Sequence, residues 1–368
     1  MSYHNRHESS IRKKPGLKDT SKYMKILVTG ATGFIGGRLV RRLKKLGHDI
    51  VCLARQESDI SILEEMGLPL VFGNIKDGRQ INEIFLRERP EIVFHCAARV
   101  RDENDDSLQE TNVYGTRNIC SACFAGGVKR LVYLSSVAVI SGNRDVPLFE
   151  DLPYSATAVY GRSKIEAEKI ALEYREKGLA VCVIRPCMVY GEGEPHAMDR
   201  ILDLVNRRLL PIPVLSGMKD KLRLVYVDNV VQALELAMKK DEALLGTFFV
   251  ADREVITIRR FVEIVSDELG KGKPLAIPEW LIKLGLLLPP IKKRFDRIFK
   301  DRVYDITRAV EILGYDPAIS TEEGLRRTVR AWRIARGNGQ QSYQPSAFSC
   351  QLKRVKSQNA RRKTYDGE

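Results

Sequence analysis

Tyr160 and Lys164 stand four residues apart in Tyr160-Gly-Arg-Ser-Lys164. On a helix that spacing places both side chains on one face. An ammonium beside a phenol favours the phenolate. Such a tyrosine can take or give a proton at a carbinol being oxidised or a carbonyl being reduced. The same pattern also fits an ordinary solvated helix face, so its meaning depends on what precedes it. Upstream, an apolar run ends in Ser135-Ser136, where a hydroxyl could hold a substrate oxygen. Further upstream, Val28-Thr-Gly-Ala-Thr-Gly-Phe-Ile-Gly36 follows a strand pattern and opens a helix pattern. Gly30, Gly33 and Gly36 would let backbone amides and a helix N-terminus approach a dinucleotide pyrophosphate with no Cβ in the way; a tight structural turn is the plainer alternative. The second strand ends Leu53-Ala54-Arg55-Gln56, with no acid at its tip. An acid there would hold the ribose 2′-hydroxyl of NAD, whereas an arginine suits a 2′-phosphate. Arg55 therefore favours NADP(H) over NAD(H), unless it is simply an exposed arginine.

These residues need a scaffold, and the hydrophobic pattern supplies one. Short apolar runs at Lys25–Thr29, Asp49–Ala54, Leu70–Phe72, Glu91–Cys96, Arg130–Ser135 and Ala180–Ile184 alternate with helical patterns. That alternation implies a parallel sheet covered on both faces. The expected class is α/β: a Rossmann-type doubly wound parallel sheet with a smaller mixed α/β C-terminal substrate lobe. The dinucleotide-binding domain is placed at 24–185 plus about 222–245, and the substrate lobe at 186–221 and 246–335. Residues 1–23 and 336–368 read as disordered basic ends.

The chain has 368 residues and a net charge of +14, of which residues 1–24 carry +4 and residues 331–368 carry +6. The basicity belongs to the ends, and the reading is solvated tails rather than a specific nucleic-acid interface. No run of about 18 uncharged apolar residues suggests a spanning helix, and residues 1–24 lack the apolar core of a signal peptide. Seven scattered cysteines, at 52, 96, 120, 123, 182, 187 and 350, argue against a disulfide framework. Cys120-x-x-Cys123 has no second pair to complete a zinc site, so no metal is expected. A cytoplasmic location follows as the expectation.

At this point the chain resembles the extended short-chain dehydrogenase/reductases, the NAD-dependent epimerase/dehydratase family. The matching segments occur in the family's order: TGATGFIG (29–36), GNIKD (73–77), HCAA (95–98), NVYGT (112–116), YLSS (133–136), YGRSK (160–164), RPCMVYG (185–191) and VYVDN (225–229). The resemblance covers about residues 24–335. It implies that Gly30, Gly33, Phe34, Ile35 and Gly36 line the pyrophosphate, that Asn74 and Ile75 flank the adenine, and that Ala97 and Ala98 pass close to the cofactor. It implies Tyr160 as acid/base, with Lys164 holding the nicotinamide ribose and lowering the tyrosine's pKa. Ser136 would bond the substrate oxygen, with Ser135 as the fallback. Pro186 and Met188 would lie by the nicotinamide and substrate. Asn112 either supports this constellation or caps a helix. His95, at a strand end, reads as a packed wall residue rather than a catalyst.

Family membership does not name a substrate. Relatives acting on nucleotide sugars often carry an Asn where this chain has Met188, and dehydratases an acidic pair where it has Val137-Ala138. The chain is more similar to the branch of 3β-hydroxysteroid dehydrogenases and dihydroflavonol-type reductases. The expectation is an NAD(P)-dependent oxidoreductase acting on a secondary alcohol or ketone as its small-molecule substrate. A nucleotide-sugar 4-epimerase with enclosed NAD is the first alternative, and a non-catalytic NAD(P)-sensing protein the second. Trp280–Ile291 is a short apolar segment followed by Lys292-Lys293-Arg294. Residues 280–294 read either as a core helix or as a peripheral membrane contact near an apolar substrate. By analogy with relatives, helices at 107–125 and 156–176 would pair in a homodimer.

Overall fold

The computed structural model describes residues 24–100, 105–143, 146–195, 198–207, 212–213, 221–272, 276–277, 279–288 and 301–337. Of the ends expected to be disordered, residues 1–23 and 338–368 lie outside these residues, whereas Arg336 and Gly337 close the last helix. The first half alternates strictly: β1 (Lys25–Thr29), α1 (Phe34–Lys45), β2 (Asp49–Ala54), α2 (Ser61–Glu65), β3 (Leu70–Phe72), α3 (Gly78–Glu88), β4 (Ile92–His95). Next come α4 (Asp105–Leu108), a π-helical turn (Gln109–Tyr114), α5 (Gly115–Ala125), β5 (Arg130–Leu134), α6 (Val159–Glu176) and β6 (Val181–Pro186). The second half contains β7 (Met188–Tyr190), α7 (Met198–Asn206), β8 (Ile212–Pro213), β9 (Lys221–Leu222), β10 (Leu224–Tyr226), α8 (Val227–Lys239) and β11 (Thr247–Val250). It closes with β12 (Ile256–Thr257), α9 (Ile258–Glu268), β13 (Ala276–Ile277), α10 (Glu279–Gly285) and α11 (Thr321–Gly337).

Seven parallel strands form one sheet in the order β11-β6-β5-β4-β1-β2-β3. Each strand alternates its side chains between two buried faces. Ile26, Val28, Ile92, Phe94, Val132 and Ile184 point into the core beneath α1 and α8. Leu27, Val93, Leu131, Tyr133, Val181 and Val183 point into the core beneath α3, α5 and α6. Strand order reverses between β1 and β4, so the crevice at their C-terminal ends is where such a sheet takes a ligand. The glycine turn after β1 and the segment after β4 meet there. This is the Rossmann-type doubly wound sheet expected from the pattern.

A second, smaller core lies beside it. Tyr190, Leu202, Leu224, Tyr226, Phe261, Val265, Leu325 and Trp332 pack together from β7, α7, β10, α9 and α11. The lobe boundaries differ from those expected. Thr247–Val250 falls in the span assigned to the substrate lobe, yet β11 pairs with β6 as the sheet's last strand. Conversely, Leu224–Tyr226 falls in the span assigned to the dinucleotide domain, yet β10 pairs with β7 in the smaller lobe. Tyr304, Ile306, Leu313 and Tyr315, also assigned to the small lobe, bury themselves in the main core. The apolar Phe248–Val250 of β11 needs cover on both faces, and β6 offers the edge next to it in space; sequence order carries no such information.

Candidate active site

The turn after β1 is built for close approach. Gly30 has φ +70°, in the left-handed region. A Cβ there would lie 2.7 Å from the Ala97 nitrogen and 2.8 Å from its Cα. Its carbonyl accepts the Gly33 amide at 2.9 Å. Gly33 precedes α1, no side chain caps it, and the first turn contains no acid. The free amides and positive end of α1 therefore face the crevice, which suits a pyrophosphate. Gly36 is buried in the first turn against the Gly30 carbonyl. Phe34 and Ile35 turn their side chains toward the smaller lobe, so they meet the crevice through backbone. These features fit a dinucleotide.

At the adenosine end, Arg55 is half exposed just beyond β2 and pairs with Glu57 at 3.1 Å. Asn74 folds into its own turn: its side chain accepts the Lys76 amide at 3.1 Å, and its amide donates to Gln80 at 2.8 Å. Ile75 is buried against Gly115 at the start of α5. Ala97 donates its amide to Thr29 Oγ1 at 3.2 Å, and Ala98 is exposed beyond it. Asn112 is not a cap. It lies inside the π-helical turn, buried, and bridges three segments. Its side chain accepts the Arg99 amide at 2.7 Å and donates to the Arg99 carbonyl at 2.9 Å and to Ser163 Oγ at 3.0 Å. It thereby fastens the cofactor-side loop to the first turn of α6.

That first turn carries Tyr160. Gly161 allows it to come close: a Cβ at 161 would stand 2.8 Å from the Ala138 carbonyl oxygen. Ser136 caps the 3-10 helix Val137–Ile140, accepting the Ala138 amide at 3.1 Å, and hydrogen-bonds the Tyr160 phenol. Burial pushes that phenol up to about 12, the Ser136 bond acting in the opposite direction. Lys164, one turn on, is buried and donates to Tyr133 Oη at 2.8 Å and to the Leu134 carbonyl at 2.9 Å. Burial lowers its amine to about 8, opposed by Glu168 and Cys96. The phenol is thus raised rather than lowered, and the Lys164 ammonium is engaged by Tyr133.

Ser135 faces away from the crevice. Its hydroxyl donates to buried Glu168, which also accepts from Tyr154 Oη at 2.8 Å and from Arg185 Nε at 3.1 Å. Ser135 therefore anchors Glu168, and the hydroxyl that meets the Tyr160 phenol is that of Ser136, not Ser135. Glu168 and Arg185 form a buried ion pair that sequence reading missed. The available signals were Glu168 four residues after Lys164 on the same helix face, and an arginine at the end of an otherwise apolar strand. Pro186 ends β6 and is buried. Met188 opens β7 with 45% of its side chain exposed. His95 is a buried wall residue bonded through both ring nitrogens. Among the described residues, no group of three or more His, Cys, Asp or Glu is gathered for a metal, and no helix is long and apolar enough to cross a membrane.

The profile of the NAD dependent epimerase/dehydratase family matches residues 26–250. The chain is 30% identical over 318 residues to the UDP-glucose 4-epimerase of Vibrio cholerae, covering 83% of this chain and 95% of that protein. It is 27% identical over 332 residues to the 3-beta-hydroxysteroid dehydrogenase of Mycolicibacterium neoaurum, covering 82% and 89%. The UDP-glucose 4-epimerase of Thermus thermophilus, solved in complex with NAD, superposes with a TM-score of 0.68 at 26% identity, covering 85% of this chain and all of that one, 100%. These likenesses identify the chain as an enzyme of the NAD-dependent epimerase/dehydratase family, the extended short-chain dehydrogenase/reductases.

Proposed function

We propose that the protein is an oxidoreductase that interconverts a secondary alcohol and a ketone, with a hydrophobic substrate. Met188 carries this reading. It presents an exposed thioether two residues beyond Pro186, at the exit of β6. An apolar side chain there offers no hydrogen bond to a sugar diphosphate and favours apolar surface instead. When bound, the nicotinamide supplies or accepts the hydride. Ser136 holds the substrate oxygen, Tyr160 moves its proton, and Lys164 takes the nicotinamide ribose. Tyr160 is protonated near neutral pH, as an ordinary phenol is, and burial raises it further, so it enters ketone reduction as the acid. Arg55 favours NADP(H): its exposed pair with Glu57 is worth less than about 1 kcal/mol and yields readily to a 2′-phosphate.

The similarity to UDP-glucose 4-epimerases supports a second reading, epimerisation of a nucleotide sugar by the same three side chains. One assay separates the two. Oxidation of NADPH or NADH by a panel of steroid, alkyl and aryl ketones is expected, with Tyr160→Phe losing about 10²-fold or more in turnover while still binding the dinucleotide. Turnover of UDP-sugars with no ketone reduction overturns the oxidoreductase reading.

Two interaction surfaces belong to the same proposal. Trp280, Leu284, Leu287 and Leu288 are exposed and recur at helical spacing, while Ile282 is buried. This face would rest on a membrane interface; the basic Lys292-Lys293-Arg294 lies outside the described residues. Exposed Tyr114 and Phe124, in and after the π-helical turn, would be covered in a homodimer through α5 and α6.

A further inference from the structure

A buried cluster joins the turn after β1 to Lys164. Its proton positions follow from which groups only donate and which only accept. The Lys164 ammonium donates to Tyr133 Oη at 2.8 Å, and the Tyr133 ring packs against the His95 ring, with centroids 5.7 Å apart. The Thr116 hydroxyl proton is committed to the Asn112 carbonyl at 2.6 Å, which can only accept. Thr116 Oγ1 therefore accepts from His95 Nε2 at 3.1 Å. That fixes the His95 proton on Nε2. Its bare Nδ1 accepts the Thr29 hydroxyl at 2.8 Å, and Thr29 accepts the Ala97 amide at 3.2 Å. Thr29, His95, Thr116, Tyr133 and Lys164 are all buried. Burial, then the Lys164 charge, lowers the imidazole to about 3, so it stays neutral.

The His95 Nε2 proton ends on Thr116, whose own proton is spent on the Asn112 carbonyl, so the arrangement is a brace and no proton runs along it.

We propose that His95 and Tyr133 are positioning residues that, through Thr116 and Thr29, tie the Lys164 ammonium to the Gly30–Ala97 turn. Lys164 and the cofactor-facing backbone then hold each other in register. The proposal rests on the reading of Lys164 as the ribose-holding group. The other titratable groups around the cluster are Glu168 on α6, Cys96 after β4, Cys120 on α5 and Tyr160.

Two measurements on the full chain test it. The first is ring ¹⁵N NMR of His95, assigned with His95→Gln. The expected result is the neutral Nε2–H tautomer with no titration from about pH 5 to about pH 8. A Nδ1–H tautomer, or a midpoint near the ordinary histidine value, overturns the proposal. The second is NADPH and NADH binding by fluorescence across pH. In the native chain, affinity is expected to fall as Lys164 loses its proton. Tyr133→Phe removes one acceptor from the ammonium, so that midpoint moves down by about one pH unit. Affinity then weakens about twofold at about pH 7 and about tenfold at about pH 9. Thr116→Ser keeps the hydroxyl and keeps the native midpoint. A merely structural Tyr133 would lower the melting temperature and leave the midpoint in place, and that outcome overturns the proposal. If Lys164→Met binds both dinucleotides as the native chain does, the reading of Lys164 itself fails and the proposal with it, whatever the His95 tautomer. Should Tyr133→Phe not fold, the tautomer decides.

Discussion

Ser135 and Ser136 are adjacent, chemically identical, and sent to opposite surroundings by the end of β5. One hydroxyl meets a buried carboxylate and the other the Tyr160 phenol. Alanine substitutions are expected to separate them. Ser136→Ala loses a donor to the substrate oxygen, and turnover is expected to fall about 10²-fold, with about 0.5–2 kcal/mol of stability lost from the missing 3-10 cap. Ser135→Ala strips a donor from the Glu168 carboxylate and is expected to cost about 1.5–3 kcal/mol of stability, read from denaturant unfolding. Equal loss of turnover in both would contradict the assignment. His95 adds a pH dependence. Its folded value, about 3, lies below its ordinary 6.5, so between those values the unfolded chain binds more protons. Stability then falls as pH drops through that window, by up to about 1.4 kcal/mol per unit. His95→Gln lacks this slope, and the stability gap between it and the native chain is expected to narrow from pH 7 to pH 5; a constant gap refutes a neutral buried imidazole. At this scale the sequence was informative where types and spacing are local, as for Tyr160, Lys164 and the glycines. It was silent about Glu168 and Arg185, since a charged side chain reads as surface until a partner distant in the chain is seen beside it.

The turn between β1 and α1 is the element on which cofactor binding depends. It brings backbone against backbone, and at Gly30 both φ and the 2.7 Å approach to Ala97 exclude a side chain. Gly30→Ala is expected to cost about 1–3 kcal/mol and to abolish detectable dinucleotide binding, measured by calorimetry on variant that still shows native circular dichroism. Retained binding would mean that the pyrophosphate lies elsewhere. Strands β1 to β6 were legible because buried parallel strands are continuous apolar runs bounded by turns. The π-helical turn at Gln109–Tyr114 was not legible. Its extra residue is what turns Asn112 inward toward Arg99 and Ser163, and no periodicity announces a single inserted residue.

Across the whole molecule, two cores are joined at a crevice, and Asp252 is the tie between them. It follows β11, is fully buried, and accepts from Tyr190 Oη at 2.8 Å, the Tyr226 amide at 2.8 Å, Asn229 Nδ2 at 2.7 Å and Thr321 Oγ1 at 3.2 Å. These partners come from β7, β10, α8 and the start of α11. Asp252→Ala leaves buried donors unmet and is expected to cost roughly 3 kcal/mol, with the smaller lobe unfolding in a separate earlier transition by scanning calorimetry. A single unshifted transition would show that the lobes do not depend on it. The lobe boundary was the least legible feature, because β11 and β10 each pair with a strand remote in order. As proposed, the protein is an oxidoreductase that exchanges its dinucleotide at every turnover. The most direct test is to purify the protein without added cofactor, denature it, and identify the released nucleotide by mass spectrometry. An empty protein, or one with substoichiometric NADP(H), is the result expected. One equivalent of retained NAD, as suits an enzyme that regenerates its cofactor within each cycle, would contradict it and establish the epimerase reading in its place.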